Sequence, residues 1–178
     1  MNEVSINQEA KLSPHFTLGE MTKTSAKGLD NTPPHAAVLN LKNLCVWLEA
    51  LREEYNRRYG EDSSLVSGPS RMVTPPTGTR PQQSSLPIVI NSGYRSEAVN
   101  RAIGGVKGSN HLTGCAVDIH VSGMEQAIRY AAILIDISNE RKEDFDELLI
   151  EGKGFGSLWL HFAVRPSGNR RKIRFIQT

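Results

Sequence analysis

Cysteine is nearly missing from this chain of 178 residues, which has only Cys45 and Cys115. Two thiols cannot build the disulfide framework of a small secreted domain, and a chain this long can bury a core without cross-links. Aromatic residues are sparse at 6%. None is interleaved with the one basic cluster, RPSGNRRKIR at 165–174, so no base-stacking surface is expected there. Neither sign of charge is in excess. The 21 basic and 19 acidic side chains leave a formal +2, too balanced to call for a nucleic-acid partner. Long apolar runs are missing too; ILIDI near 133 is far too short to cross a bilayer, so no stable membrane insertion is expected. The opening residues MNEVSINQEAKLSPHF hold no basic stretch followed by an apolar one. No cleaved leader is therefore expected, and synthesis is expected in the cytosol.

What is present reads as one soluble domain. Residues 1–14 form a flexible N-terminus and 15–178 the domain, interrupted at 61–85 by a Ser-, Pro- and Gly-rich loop insertion. Thr32, Pro33 and Pro34 announce a helix that runs to about Tyr59, with Val38, Leu41, Cys45, Leu48 and Leu51 on one stripe. A short strand at 88–90 ends in a glycine turn, and Ser96 caps a short helix that Gly104 and Gly105 stop. SGME at 122–125 has the capping-box pattern ahead of a helix carrying Ala127, Tyr130, Ala131 and Leu134. FDELLIE (145–151) and LWLHFAV (158–164) have strand composition and are joined by the glycine-rich GKGFGS; KIRFI (172–176) supplies a last strand. This order gives an α+β class with a mostly antiparallel sheet.

The chemistry gathers in SNHLTGCAVDIH, 109–120. In a strand over 115–121, Cys115, Val117, Ile119 and Val121 face the core, while Ala116, Asp118 and His120 face the other side. Gly114 permits a sharp turn that folds His111 back toward Asp118. Such a pair is either a buried hydrogen-bonded couple or two-thirds of a zinc site. His161, an ionisable residue inside an apolar strand, needs a partner if buried, and a third ligand from an adjacent strand would supply the reason for it. His120 reads as pocket wall or surface, because residues two apart on a strand lie nearly 7 Å apart. His15 and His35 have no partner spacing, and parity turns Cys115 away from Asp118.

These residues carry a resemblance. SNHLTGCAVDI resembles the Ser-x-His-x-x-Gly-x-Ala-x-Asp motif of the zinc D-Ala-D-Ala metallopeptidases, a superfamily of bacterial carboxypeptidases and dipeptidases and phage endolysins with a hedgehog-like fold. WLH at 159–161 resembles its Trp-x-His motif, INSGYRS at 90–96 its Ser-Gly-Tyr-Arg segment, and HFTLGEMTKTSAKGLDNTPP the N-terminal part of a short phage and prophage branch. The resemblance spans roughly residues 15–165, in family order.

It implies a Zn²⁺ ion bound by His111, Asp118 and His161, with helices packed on one side of the sheet. Arg95 would meet a substrate carbonyl or carboxylate, and Ser109 would hydrogen-bond near metal or substrate. Many relatives place a glutamate three residues before the last histidine, where this chain has Leu158. Glu151 is then the candidate proton acceptor, with Glu147 second. The implied function is hydrolysis of amide bonds in peptidoglycan stem peptides next to D-alanine, by a carboxypeptidase or endopeptidase acting as a prophage endolysin. It would work as a monomer, reaching the cell wall after release by a holin-like partner. The alternative is a catalytically inactive zinc-containing module that binds wall fragments or sits in a phage structure.

Overall fold

In the computed structural model, residues 7–60, 85–154 and 156–177 are described. The insertion expected at 61–85 lies outside them except for Ser85. Among the described residues four helices, α1 (Leu18–Thr22), α2 (His35–Tyr59), α3 (Glu97–Ala102) and α4 (Met124–Arg141), accompany five strands: β1 (Ile90–Ser92), β2 (Ala116–His120), β3 (Glu147–Lys153), β4 (Ser157–Ala163) and β5 (Lys172–Gln177). A 3₁₀ turn over Asn110–Thr113 precedes β2.

The strands form one sheet in the order β1-β2-β4-β3-β5. Three pairings are antiparallel, and β5 runs parallel to β3, so the sheet is mixed at one edge. One face is apolar: Val117, Ile119, Leu148, Leu160 and Phe162 are buried in a core shared with α2 and α4. Trp47 of α2 packs on Phe162 at 5.5 Å between ring centroids, and Tyr55 meets Tyr130 of α4 edge-on at 4.7 Å. Leu41, Cys45, Leu48 and Leu51 are fully buried along the expected stripe, each leucine contributing about 1.5–3 kcal/mol by leaving water. The thiol of Cys45 is a core group, its pKa pushed up to about 12 mainly by burial.

Two local expectations came out differently. β1 begins at Ile90, at the end of the apolar run rather than within it. The SGME box does not close: α4 is capped by Gly123 without a side-chain bond, and the Gln126 side chain instead accepts from the Ser122 amide at 2.7 Å. A complete capping box forms at α1, where Thr17 and Glu20 bond each other's backbone amides.

The N-terminal segment is fastened to the domain. Lys11 bridges to Thr17, and Leu18 and Gly19 donate to the carbonyls of Ala10 and Gln8. The segment in turn clamps the loop that follows β1. Tyr94 donates to the Met21 carbonyl at 2.8 Å, and Asn31 bonds the Thr22 and Tyr94 carbonyls and the Ser96 amide. Gly93 sits so close that a Cβ there would lie 2.3 Å from the Met21 carbonyl oxygen. The Ser-Gly-Tyr-Arg loop is thus pressed between the first helix and the sheet.

Candidate metal centre

Strand parity builds the centre. Facing away from the helices, the sheet presents three rows across β2, β4 and β3. Ala116, Ala163 and Glu147 form one row, Asp118, His161 and Leu149 the next, and His120, Trp159 and Glu151 the third. Asp118 and His161 are therefore direct cross-strand neighbours. His111 arrives from the 3₁₀ turn, which Gly114 ends in the left-handed conformation at φ 70°. A Cβ on Gly114 would stand 2.5 Å from the Ala37 carbonyl oxygen, so a side chain there collides with α2 and strains the backbone. The hairpin-like reversal that brings His111 over Asp118 depends on that glycine.

Three ligand-type atoms converge. His161 Nδ1 lies 3.0 Å from Asp118 Oδ1, His111 Nε2 lies 3.2 Å from the same oxygen, and the two ring nitrogens are 3.3 Å apart. All three residues are buried. His111 Nδ1 is 2.6 Å from the Gly93 carbonyl oxygen, which only accepts, so that nitrogen carries the proton. In the neutral ring Nε2 is then a bare lone pair facing a carboxylate lone pair. One proton on His161 Nδ1 can serve only one of them. Zinc held tetrahedrally at 2.0–2.1 Å sets its ligand atoms about 3.3 Å apart and satisfies all three. The donor set fits the ion.

Electrostatics agree. Burial opposes ionisation of Asp118, yet His111 and His161 hold its carboxyl far below the usual carboxylate range. Burial likewise opposes an imidazolium at His161, but the carboxylates of Asp118, Glu147 and Glu151 outweigh it and raise that pKa. A cavity that draws positive charge this strongly suits a cation.

Each ligand is held from behind. Gly93 fixes His111. Arg95 forms a buried ion pair from Nη2 to Asp118 Oδ2 and donates from Nε to Ser92 at 2.8 Å. Glu147 Oε2 stands 3.5 Å from His161 Nε2. Behind these lies Asp146, fully buried, accepting from Asn110 at 2.8 Å and from Arg170 Nε and Nη2 at 2.8 and 2.7 Å, with Arg165 Nε at 3.0 Å. Together with Arg171 on Asp144 and Lys172 on Glu147, this engages four of the five cations of the 165–174 cluster internally.

Burial works against the Asp146 carboxylate, but Arg170, Asn110 and Arg165 hold its pKa below 3.8. A depressed folded pKa stabilises above the unfolded value and is lost as pH falls through the folded one. Wild-type thermal stability should therefore decline below about pH 4, and Asp146→Asn should flatten that decline. The substitution should also cost about 3 kcal/mol at neutral pH, the low end for a broken buried pair because both arginines reach solvent. Thermal unfolding at several pH values checks both.

A cleft of about 580 Å³ opens on the centre, lined by Lys23, Ser92, Arg95, Ile103, Asp118 and Trp159. Glu151 is half-buried in the row beside Trp159. Burial raises its pKa, the Asp118 charge adds to that, and His161 opposes it. Leu158 packs against the core on the opposite face. Ser109 accepts the His111 amide at 3.3 Å as the cap of the 3₁₀ turn, and lines a separate groove with Lys107, Thr113 and Arg165. His120 is exposed, His15 bonds Glu49 at 2.7 Å, and His35 starts α2; none joins the centre. Sequence reasoning marked Gly93 as a turn residue but had no signal for its backbone carbonyl as the partner of His111.

The Peptidase M15 family model matches residues 79–146. Over that stretch, which is less than half of the chain, the sequence is similar to the M15 peptidases, a superfamily of zinc D-Ala-D-Ala peptidases. A search of curated proteins finds no match. The M15 match contains Arg95, His111 and Asp118 and ends before His161, Glu147 and Glu151, which the sheet brings to the same place. M15 peptidases are zinc metallopeptidases that act on peptidoglycan-type substrates. Among the described residues no helix is long and apolar enough to cross a membrane.

Proposed function

We propose that this protein is a zinc-dependent peptidase that cleaves amide bonds next to D-alanine in peptidoglycan stem peptides. In this reading it is a monomeric prophage endolysin, made in the cytosol and admitted to the cell wall by a holin-like partner. The observation that carries the proposal is the triangle of His111 Nε2, Asp118 Oδ1 and His161 Nδ1, with sides of 3.0–3.3 Å, beside a cleft that Asp118 lines. Zinc bound there supplies Lewis acidity to the scissile carbonyl and lowers the pKa of water toward roughly 7.

The chain's own groups supply the rest. Arg95 spends two of its five N–H donors on Ser92 and Asp118. The others remain for the substrate's carbonyl or carboxylate, within the cleft that Arg95 lines. Glu151 takes the proton of the attacking water and returns it to the leaving amine. Its half-buried carboxylate has a raised proton affinity, which suits a group that must hold a proton between two steps. Trp159, its cross-strand partner, forms the cleft wall on the same side.

Leu158, in place of the glutamate that many relatives carry, favours a second reading: a silent zinc module that binds wall fragments or belongs to a phage structure. The two part on hydrolysis. Purified protein incubated with cross-linked peptidoglycan should release new free amines, stop when a chelator removes the zinc, and resume on adding zinc back. Zinc retention with no amine release would establish the silent module instead.

A further inference from the structure

The imidazole of His161 is almost sealed, with 9% of its side chain exposed. Its Nε2 is buried and makes no hydrogen bond. A buried N–H without an acceptor costs about 1–3 kcal/mol, so this nitrogen calls for a partner. The facing group is Glu147 Oε2, at 3.5 Å, a few tenths of an ångström beyond a normal N–H···O bond. When Nδ1 gives its lone pair to a metal, the ring's proton must sit on Nε2, directed at Glu147.

Glu147 is itself pinned. Its Oε1 receives Lys172 Nζ at 2.9 Å and lies 3.0 Å from Arg170 Nη2, and its Oε2 accepts from Asn110 at 3.1 Å. The side chain is 14% exposed. With both oxygens occupied and its residue two rows away from the cleft row of Trp159, Glu147 has no free face to offer a substrate. Its cations come from the loop before β5 and from β5, and Asn110 is the residue next to His111. The carboxylate therefore ties the last strand and both histidine ligands into one frame.

We propose that Glu147 is a positioning residue: the outer carboxylate that orients His161, fixes its metal-binding tautomer and strengthens it as a ligand, with Lys172 and Arg170 holding the carboxylate in place. This rests on the zinc-centre reading. Partners of this kind typically change metal affinity 10–100-fold when removed.

The test uses the full chain, stripped of metal and titrated with zinc against a chromogenic chelator. Glu147→Ala should weaken zinc binding by about 10–100-fold, whereas Glu147→Gln, which keeps an acceptor oxygen in the same place, should recover much of it. Lys172→Met leaves the carboxylate but loosens it, and should fall between wild type and Glu147→Ala. Thermal melting of each metal-free variant shows whether it is folded. Zinc affinity equal to wild type in folded Glu147→Ala and Lys172→Met overturns the positioning role and leaves the zinc centre standing. A wild-type chain that binds no zinc overturns the centre and this role together.

Discussion

Glu151→Gln should lower amine release from peptidoglycan by about 10²–10⁴-fold, the usual span for a lost acid–base group, while zinc content stays at the wild-type level. The two effects separate because Glu151 is not a ligand. It lies on β3 across from Trp159, in the row next to the one holding Asp118 and His161. Glutamine keeps the shape and polarity of the side chain, so the fold and the metal should persist. What disappears is the ability to hold a proton, which burial has tuned upward in the native carboxyl. Glu147 makes the opposite prediction. It sits on the same strand and face, yet its replacement should register in metal affinity, because its oxygens face His161, Asn110, Arg170 and Lys172 rather than the cleft.

Asp118→Ala should abolish zinc retention and hydrolysis, and should also destabilise the metal-free chain. Two consequences follow from one carboxylate. Oδ1 completes the ligand triangle, and Oδ2 holds the Arg95 guanidinium, only 14% exposed. Removing the carboxylate strands that guanidinium beside two imidazoles. Breaking a buried pair from one side costs about 3–5 kcal/mol. His161→Ala is the contrasting variant. It should lose zinc and activity equally, but it leaves the Arg95–Asp118 pair intact and should be spared that penalty. Zinc content by elemental analysis, with urea unfolding of both variants after chelation, reads the difference.

Much of the centre was legible in the residues themselves because strand alternation is local. The sequence Cys115–Val121 already assigns Val117 and Ile119 to one face and Asp118 to the other, and the structure keeps that division. The stripe on α2 was equally local. His161 stood out as an ionisable residue in an apolar run, and its register opposite Asp118 supplied the reason. Other features depended on contacts between distant segments. Nothing in KIRFI announces that β5 lies parallel to β3, and that placement puts Lys172 on Glu147. Nothing local to the basic run at 165–174 shows that Asp146 and Glu147 draw most of it inward. The N-terminal segment offered no period to read. Its place is set by single bonds from Asn31, and by the Met21 carbonyl that requires glycine at 93.

X-ray absorption at the zinc edge of the purified chain tests the central claim most directly. One zinc per chain should show nitrogen and oxygen neighbours at about 2.0–2.1 Å, with two imidazoles and no sulfur. A sulfur shell near 2.3 Å, or a folded wild-type chain that binds no zinc, would contradict it.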